Sequence, residues 1–159
     1  MADAPKIWRS ATPEDTEALG AKLAMALPAK RDSLSVVFLT GDLGAGKTTL
    51  SRGFLHAAGV TGAIRSPTYT LLETYETSVA TVVHLDLYRL RDPSELEPLG
   101  LRDLALPGHL WLIEWPERGA GWLPSADIQV SLAIQSGGHR LEASGVSIFG
   151  KAWLAQLAA

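Results

Sequence analysis

Eight consecutive residues, Gly41-Asp42-Leu43-Gly44-Ala45-Gly46-Lys47-Thr48, constrain this chain more than any other segment. They match G-x-x-x-x-G-K-[ST] at every position, a pattern that a shuffled chain of this composition would contain about 0.6% of the time. The flanks decide whether the match has meaning. Leu34, Val36, Val37, Phe38 and Leu39 form a short apolar, β-branched run, the pattern of a strand buried on both faces. Lys47 to Ala58 holds no proline and one glycine, Gly53, and stops at Gly59, as a helix does. Strand, glycine turn and helix in that order build an anion site. The glycines let successive amides turn inward, and the helix N-terminus adds partial positive charge. Lys47 is placed to bridge β- and γ-phosphates, and the Thr48 hydroxyl to ligate Mg²⁺.

The remaining sequence extends this unit. Ile7 to Arg9 reads as a short edge strand, and Thr12-Pro13-Glu14-Asp15 opens a helix that Thr12 caps and Pro28 stops. Tyr69 to Tyr75 and Thr81 to Tyr88 predict paired strands, and Asp92-Pro93-Ser94-Glu95 predicts a brief helix closed by Gly100. Leu110 to Trp115 predicts another buried strand. Ile128 to Ile134 and His139 to Val146 flank Gly137-Gly138 as a hairpin, and Lys151 to Ala158 predicts a last helix. The expected fold class is α/β: a P-loop NTPase with a mostly parallel central sheet, antiparallel additions and helices on both faces. At 159 residues it is expected to form one domain.

Composition removes other classes. A net charge of −3 argues against a basic protein that coats nucleic acid. No cysteine is present, so thiolate metal sites, thiol nucleophiles and disulfides are excluded. The polar N-terminus and the lack of a long apolar run predict neither signal peptide nor membrane anchor, and point to the cytoplasm.

A magnesium nucleotide also needs an acid at the end of a neighbouring strand. Val82-Val83-His84-Leu85-Asp86 and Leu110-Trp111-Leu112-Ile113-Glu114 both deliver one, and spacing alone does not rank them. A guanine site of the Asn-Lys-x-Asp type is disfavoured because the chain has no asparagine. Trp115 is placed to stack on a base or to serve as a packing indole. Trp111 reads as core, and His84, alone in an apolar strand, as packing.

Taken together, GDLGAGKTTLSRGFL, SPTYTLLETY (Ser66 to Tyr75), HLDLYRL (His84 to Leu90) and IEWPERG (Ile113 to Gly119) resemble the bacterial TsaE (YjeE) family. The likeness runs through most of the chain. The family comprises small ATPases needed for threonylcarbamoyladenosine modification of tRNA. The resemblance implies ATP and Mg²⁺ as cofactors, Thr48 and Glu114 as the metal pair, and Trp115 beside the nucleotide. It implies that Asp86 serves hydrolysis, that Thr68 lies in a switch-like loop, and that Thr12 approaches the base. The expected nucleotide contacts are therefore Thr12, Gly41, Leu43, Gly44, Ala45, Gly46, Lys47, Thr48, Thr49 and Trp115, with Lys47, Thr68 and Asp86 catalytic. The family's partners are TsaD and TsaB, and tRNA is expected to be met mainly through that complex. The stretch Pro28 to Ser33 looks longer than usual, in a loop that carries none of these roles.

Two other readings share the motif. A small-molecule kinase needs an acceptor pocket and a lid arginine, for which the segment after Pro116 offers only Arg118 and Arg140. A nucleotide-gated interaction module needs no hydrolysis. Arg89 and Arg65 are the candidates for an arginine finger in cis, though either suits a surface or partner contact equally well.

Overall fold

The computed structural model describes residues 4–157. After β1 (Lys6–Ser10), α1 (Pro13–Ala26) begins where its sequence dictates: the Asp15 amide donates to Thr12 Oγ1 at 3.2 Å, and proline stands in the first turn. β2 (Ser35–Thr40) runs into the glycine turn, and α2 (Lys47–Ala57) leaves it. β3 (Leu72–Glu76) and β4 (Thr81–Asp86) are paired, and a 3₁₀ segment (Pro93–Leu99) and α3 (Leu101–Leu104) follow. β5 (His109–Glu114) ends at a second 3₁₀ segment (Pro116–Gly119). The hairpin of β6 (Ile128–Gln135) and β7 (Gly138–Gly145) then leads to α4 (Ile148–Ala155).

The seven strands form one sheet in the order β1-β7-β6-β2-β5-β4-β3. β2 is parallel to both β5 and β6, and β4 is parallel to β5, giving a four-stranded parallel centre. β7 and β3 are antiparallel to it on either side, and β1 pairs antiparallel with β7. This is the expected sheet, and helices cover both faces, unequally. On one face Val37, Leu39, Val82 and Leu112 are buried with Leu50 and Phe54 of α2 and Trp153 of α4. On the other, Val36, Val83, Leu85, Trp111 and Ile113 lie under Leu96 and Leu101, from the 3₁₀ segment and the one-turn α3. Trp111 is core as expected, its indole N–H donating to the Leu104 carbonyl at 3.1 Å.

Two glycines let α1 and α2 touch backbone to backbone. A Cβ on Gly20 would stand 2.1 Å from the Leu50 carbonyl oxygen, and one on Gly53 would stand 2.0 Å from that of Glu17. The contact is reciprocal, and it fixes the helix that leaves the glycine turn against its neighbour.

Several boundaries differ from the sequence reading, which also ran β4 to Tyr88 where the strand ends at Asp86. β3 begins at Leu72, not Tyr69, because Thr68 to Thr70 forms a turn and Leu71 takes a left-handed backbone (φ 68°). β7 ends at Gly145, and α4 starts at Ile148 because Ser147 caps it, its Oγ accepting from the Gly150 amide at 2.9 Å. Ala158, to which the sequence reading extended this helix, lies outside the described residues. The Pro28 to Ser33 loop is pinned by Arg31, which donates to the carbonyls of Pro28 (3.0 Å) and Val79 (2.7 Å). Among the described residues no helix is long and apolar enough to cross a membrane.

Candidate active site

The parallel centre brings its strand ends to one edge, and three of its four strands deliver a functional group there. β2 passes into the loop at Gly41, β4 ends on Asp86 and β5 ends on Glu114. Asp86 and Glu114 are register partners on adjacent strands, so the two acids that spacing did not rank stand side by side. Both are nearly fully buried.

Gly44 and Gly46 have φ of 81° and 108°, conformations that side chains with a Cβ rarely adopt. Gly41 has φ 147°, and a Cβ there would stand 2.4 Å from the Leu132 carbonyl oxygen on β6. The loop is thus seated on the sheet. The first amides of α2 lack partners within the helix and form its positive end. Lys47, only 5% exposed, turns its ammonium back over the loop, donating to the carbonyls of Gly41 and Asp42, the latter at 2.9 Å. Burial lowers its pKa from the ordinary lysine value, against the opposing pull of Glu114, Asp86, Glu117 and Asp42.

Thr48 donates to Glu114 Oε1 at 2.9 Å, while His84 Nε2 meets Glu114 Oε2 at 2.6 Å. His84 is therefore more than packing. It is completely buried in β4 and its ring holds the far oxygen of the carboxylate. Asp86 is held differently. Its Oδ1 accepts from the Tyr88 amide at 3.0 Å, and its Oδ2 accepts from the hydroxyls of Ser66 and of Thr68, the latter at 3.3 Å. The Asp86 amide in turn donates to the Leu71 carbonyl at 3.0 Å, closing the turn onto the strand.

Trp115 follows Glu114 with a left-handed backbone, φ 59°, unusual for an indole residue and costing about 1–2 kcal/mol. This turn lays the ring 4.2 Å from Lys47 Nζ and 5.1 Å from the Tyr88 ring. The result is an open cleft of about 360 Å³ lined by Leu43, Gly44, Gly46, Lys47, Thr48, Thr49, Ser66, Thr68, Asp86, Tyr88, Arg89, Glu114 and Trp115.

Most residues singled out in the sequence therefore meet in one place. Gly41, Ala45 and Thr12 do not line the cleft. Gly41 backs onto β6, and Ala45 is buried with its amide donating to the Asp42 carbonyl at 3.1 Å. Thr12 is occupied with capping α1, one turn before Thr16, whose methyl lies 3.5 Å from where a Gly46 Cβ would be. Of the two arginine candidates, Arg89 lines the cleft, with its guanidinium 4.5 Å from the Tyr69 ring centroid, and Arg65 does not. Sequence reasoning missed Ser66, Tyr88 and the role of His84. The signal for Ser66 was present in the SPTYT segment, where a second hydroxyl stands two residues before Thr68.

A family profile described as "Threonylcarbamoyl adenosine biosynthesis protein TsaE" matches residues 10–141. The chain belongs to the TsaE family. It is 47% identical over 116 residues to the tRNA threonylcarbamoyladenosine biosynthesis protein TsaE of Haemophilus influenzae, covering 73% of each chain. To the Bacillus subtilis protein of the same name it is 39% identical over 123 residues, covering 77% of this chain and 74% of the relative. The fold is similar to the crystal structure of Bacillus subtilis YdiB, with a TM-score of 0.75 and 27% identity, covering 99% of this chain and 95% of that one. The TsaE match spans all four segments on which the resemblance rested.

Proposed function

We propose that this TsaE-family protein binds ATP with Mg²⁺ in the cleft, hydrolyses it, and drives a conformational step in the threonylcarbamoyladenosine modification of tRNA. The observation that carries this reading is the convergence of Lys47, Thr48, Asp86 and Glu114 on one cleft at the ends of parallel strands. Thr48 and Glu114, joined at 2.9 Å, offer the hard oxygen donors that magnesium takes beside phosphate oxygens and water. An ion held by these two residues would supply positive charge to offset that of the phosphates.

The chain's own groups do the rest. Amides of Gly44 to Thr49 and the α2 N-terminus cradle the phosphates, and Lys47 exchanges its loop carbonyls for phosphate oxygens. Such a swap gives the ammonium a stronger, charge-assisted partner at no change of position in the fold. Asp86 orients the attacking water, since an aspartate is ordinarily a weak base and its carboxylate is already fixed by three donors. Ser66 and Thr68 share that carboxylate, so a change at Asp86 on γ-phosphate loss reaches the Ser66 to Thr70 turn directly. Thr12 and the start of α1, beside Gly46, form the side from which the base is approached. Trp115 covers the nucleotide. TsaD and TsaB are the partners on which the switch acts, in the cytoplasm, and tRNA is met through them, as suits a chain of net charge −3.

The test is phosphate release from ATP by the purified protein, alone and with TsaD and TsaB. Release without any added acceptor is expected, faster with the partners, and Lys47→Ala abolishes it. Normal hydrolysis by Lys47→Ala overturns the assignment. Phosphate transfer to a metabolite would make the protein a kinase instead.

A further inference from the structure

The buried imidazole of His84 is the feature that neither packing nor the nucleotide reading accounts for. It sits in the middle of β4, on the face covered by α2, at zero exposure. A leucine would fill such a place with no polar cost. The imidazole instead brings two nitrogens, and among the described residues only one is satisfied: Nε2 meets Glu114 Oε2 at 2.6 Å, while Nδ1 is buried with no hydrogen-bond partner among them. An orphaned buried nitrogen destabilises a fold. A histidine at this place is therefore explained by what its other nitrogen does.

That nitrogen acts on the geometry of Glu114. A carboxylate at a strand end has a free torsion about its last bond, and its two oxygens are interchangeable unless something distinguishes them. Here the two are distinguished. Oε2 is tied to a ring that cannot move, because β4 and β5 are in register at His84 and Leu112 and the ring is enclosed. Oε1 is thereby left toward Thr48 and the cleft. The chain His84 to Glu114 to Thr48 joins β4, β5 and α2 through side chains alone. It has the form of an outer partner that orients a metal-binding carboxylate, an arrangement whose removal ordinarily lowers metal affinity 10–100-fold.

We infer that His84 is a positioning residue: its Nε2–H fixes the Glu114 carboxylate so that Oε1 is presented with the Thr48 hydroxyl, and it thereby sets how tightly the site holds a divalent cation beside a nucleotide. The inference rests on the proposed magnesium nucleotide site. It assigns His84 no contact with nucleotide and no part in proton transfer.

Two substitutions of similar bulk separate the role from mere packing. The amide nitrogen of His84→Gln reaches the place of Nε2, whereas that of His84→Asn reaches only the place of Nδ1. The experiment is Mn²⁺ titration of the full chain, followed by electron paramagnetic resonance, in the presence of saturating ADP, with ADP affinity in EDTA measured in parallel. The wild-type protein binds Mn²⁺ with ADP. His84→Asn weakens Mn²⁺ at least tenfold, His84→Gln stays near wild type, and ADP affinity in EDTA is unchanged in both. Equal Mn²⁺ affinity in wild type and His84→Asn overturns the inference, as does equal loss in both variants. Absence of nucleotide-dependent Mn²⁺ binding in the wild type would instead overturn the metal site itself. Should His84→Asn fail to fold by circular dichroism, His84→Leu takes its place with the same expectation.

Discussion

The two loops that face each other across the cleft are held by opposite means. The Gly41 to Thr48 loop is fixed by its backbone: positive φ at its glycines, a seat against the Leu132 carbonyl, and a helix pressed onto α1. The Ser66 to Thr70 turn is fixed by side chains, two hydroxyls on one oxygen of Asp86, with Leu71 in a left-handed conformation at its end. A backbone fixture has no alternative partner and stays where it is. Hydroxyls on a carboxylate hold only while the carboxylate has nothing better to do, and hydroxyl bonds of this kind contribute about 1 kcal/mol each. The first loop is thus built to bind and the second to report.

Breaking the side-chain fixture at its centre has the largest expected effect. Asp86→Ala lowers ATP hydrolysis about 10²-fold or more, leaves nucleotide affinity near wild type, and speeds amide exchange across Ser66 to Thr70 but not across the glycine loop. Hydrogen exchange with mass spectrometry checks it, and equal acceleration in both loops would dissolve the contrast.

Breaking the backbone fixture from behind comes next. Gly53→Ala gains about 1 kcal/mol of helix propensity but drives a methyl into the Glu17 carbonyl, for a net loss of about 2 kcal/mol and a melting temperature about 4–8 °C lower. Gly41→Ala acts more locally. The methyl would collide with Leu132, lift the loop from β6 and weaken ADP binding about tenfold, as isothermal titration measures, with little change at Ser66 to Thr70. The smallest effect belongs to Ser66→Ala, which removes one of two hydroxyls and accelerates exchange of the turn about fivefold, a shift of about 1 kcal/mol. A turn unaltered by Ser66→Ala would mean that Thr68 and Leu71 suffice to hold it.

The same contrast explains what could be read in advance. The glycine loop is local in sequence, so its eight residues, the strand before it and the helix after it were legible together. So were the parallel centre and the antiparallel hairpin, from apolar runs and turn residues. Within the Ser66 to Thr70 turn, Tyr69 and Thr70 were read as the start of a strand because both have high β propensity. What overrides it is a carboxylate some twenty residues away, which no local pattern reveals. His84 was read as packing for the same reason, its partner being 30 residues on. Asp86 and Glu114 were both legible as strand-end acids. Their standing side by side required knowing that β4 and β5 are neighbours in the sheet. Ser147, which starts α4, was passed over because it directly follows Val146, the last residue read as strand.

The close approach of α1 and α2 at Gly20 and at Gly53 bears on how this protein can change. Each collision that a larger residue would cause is with main-chain atoms of the opposite helix. No compensatory change of side chain across the interface can relieve it, since every amino acid carries the same peptide unit. At these two positions, remote from the chemistry, a larger residue therefore has no suppressor at the contact itself, and only a shift of one whole helix against the other can make room for it.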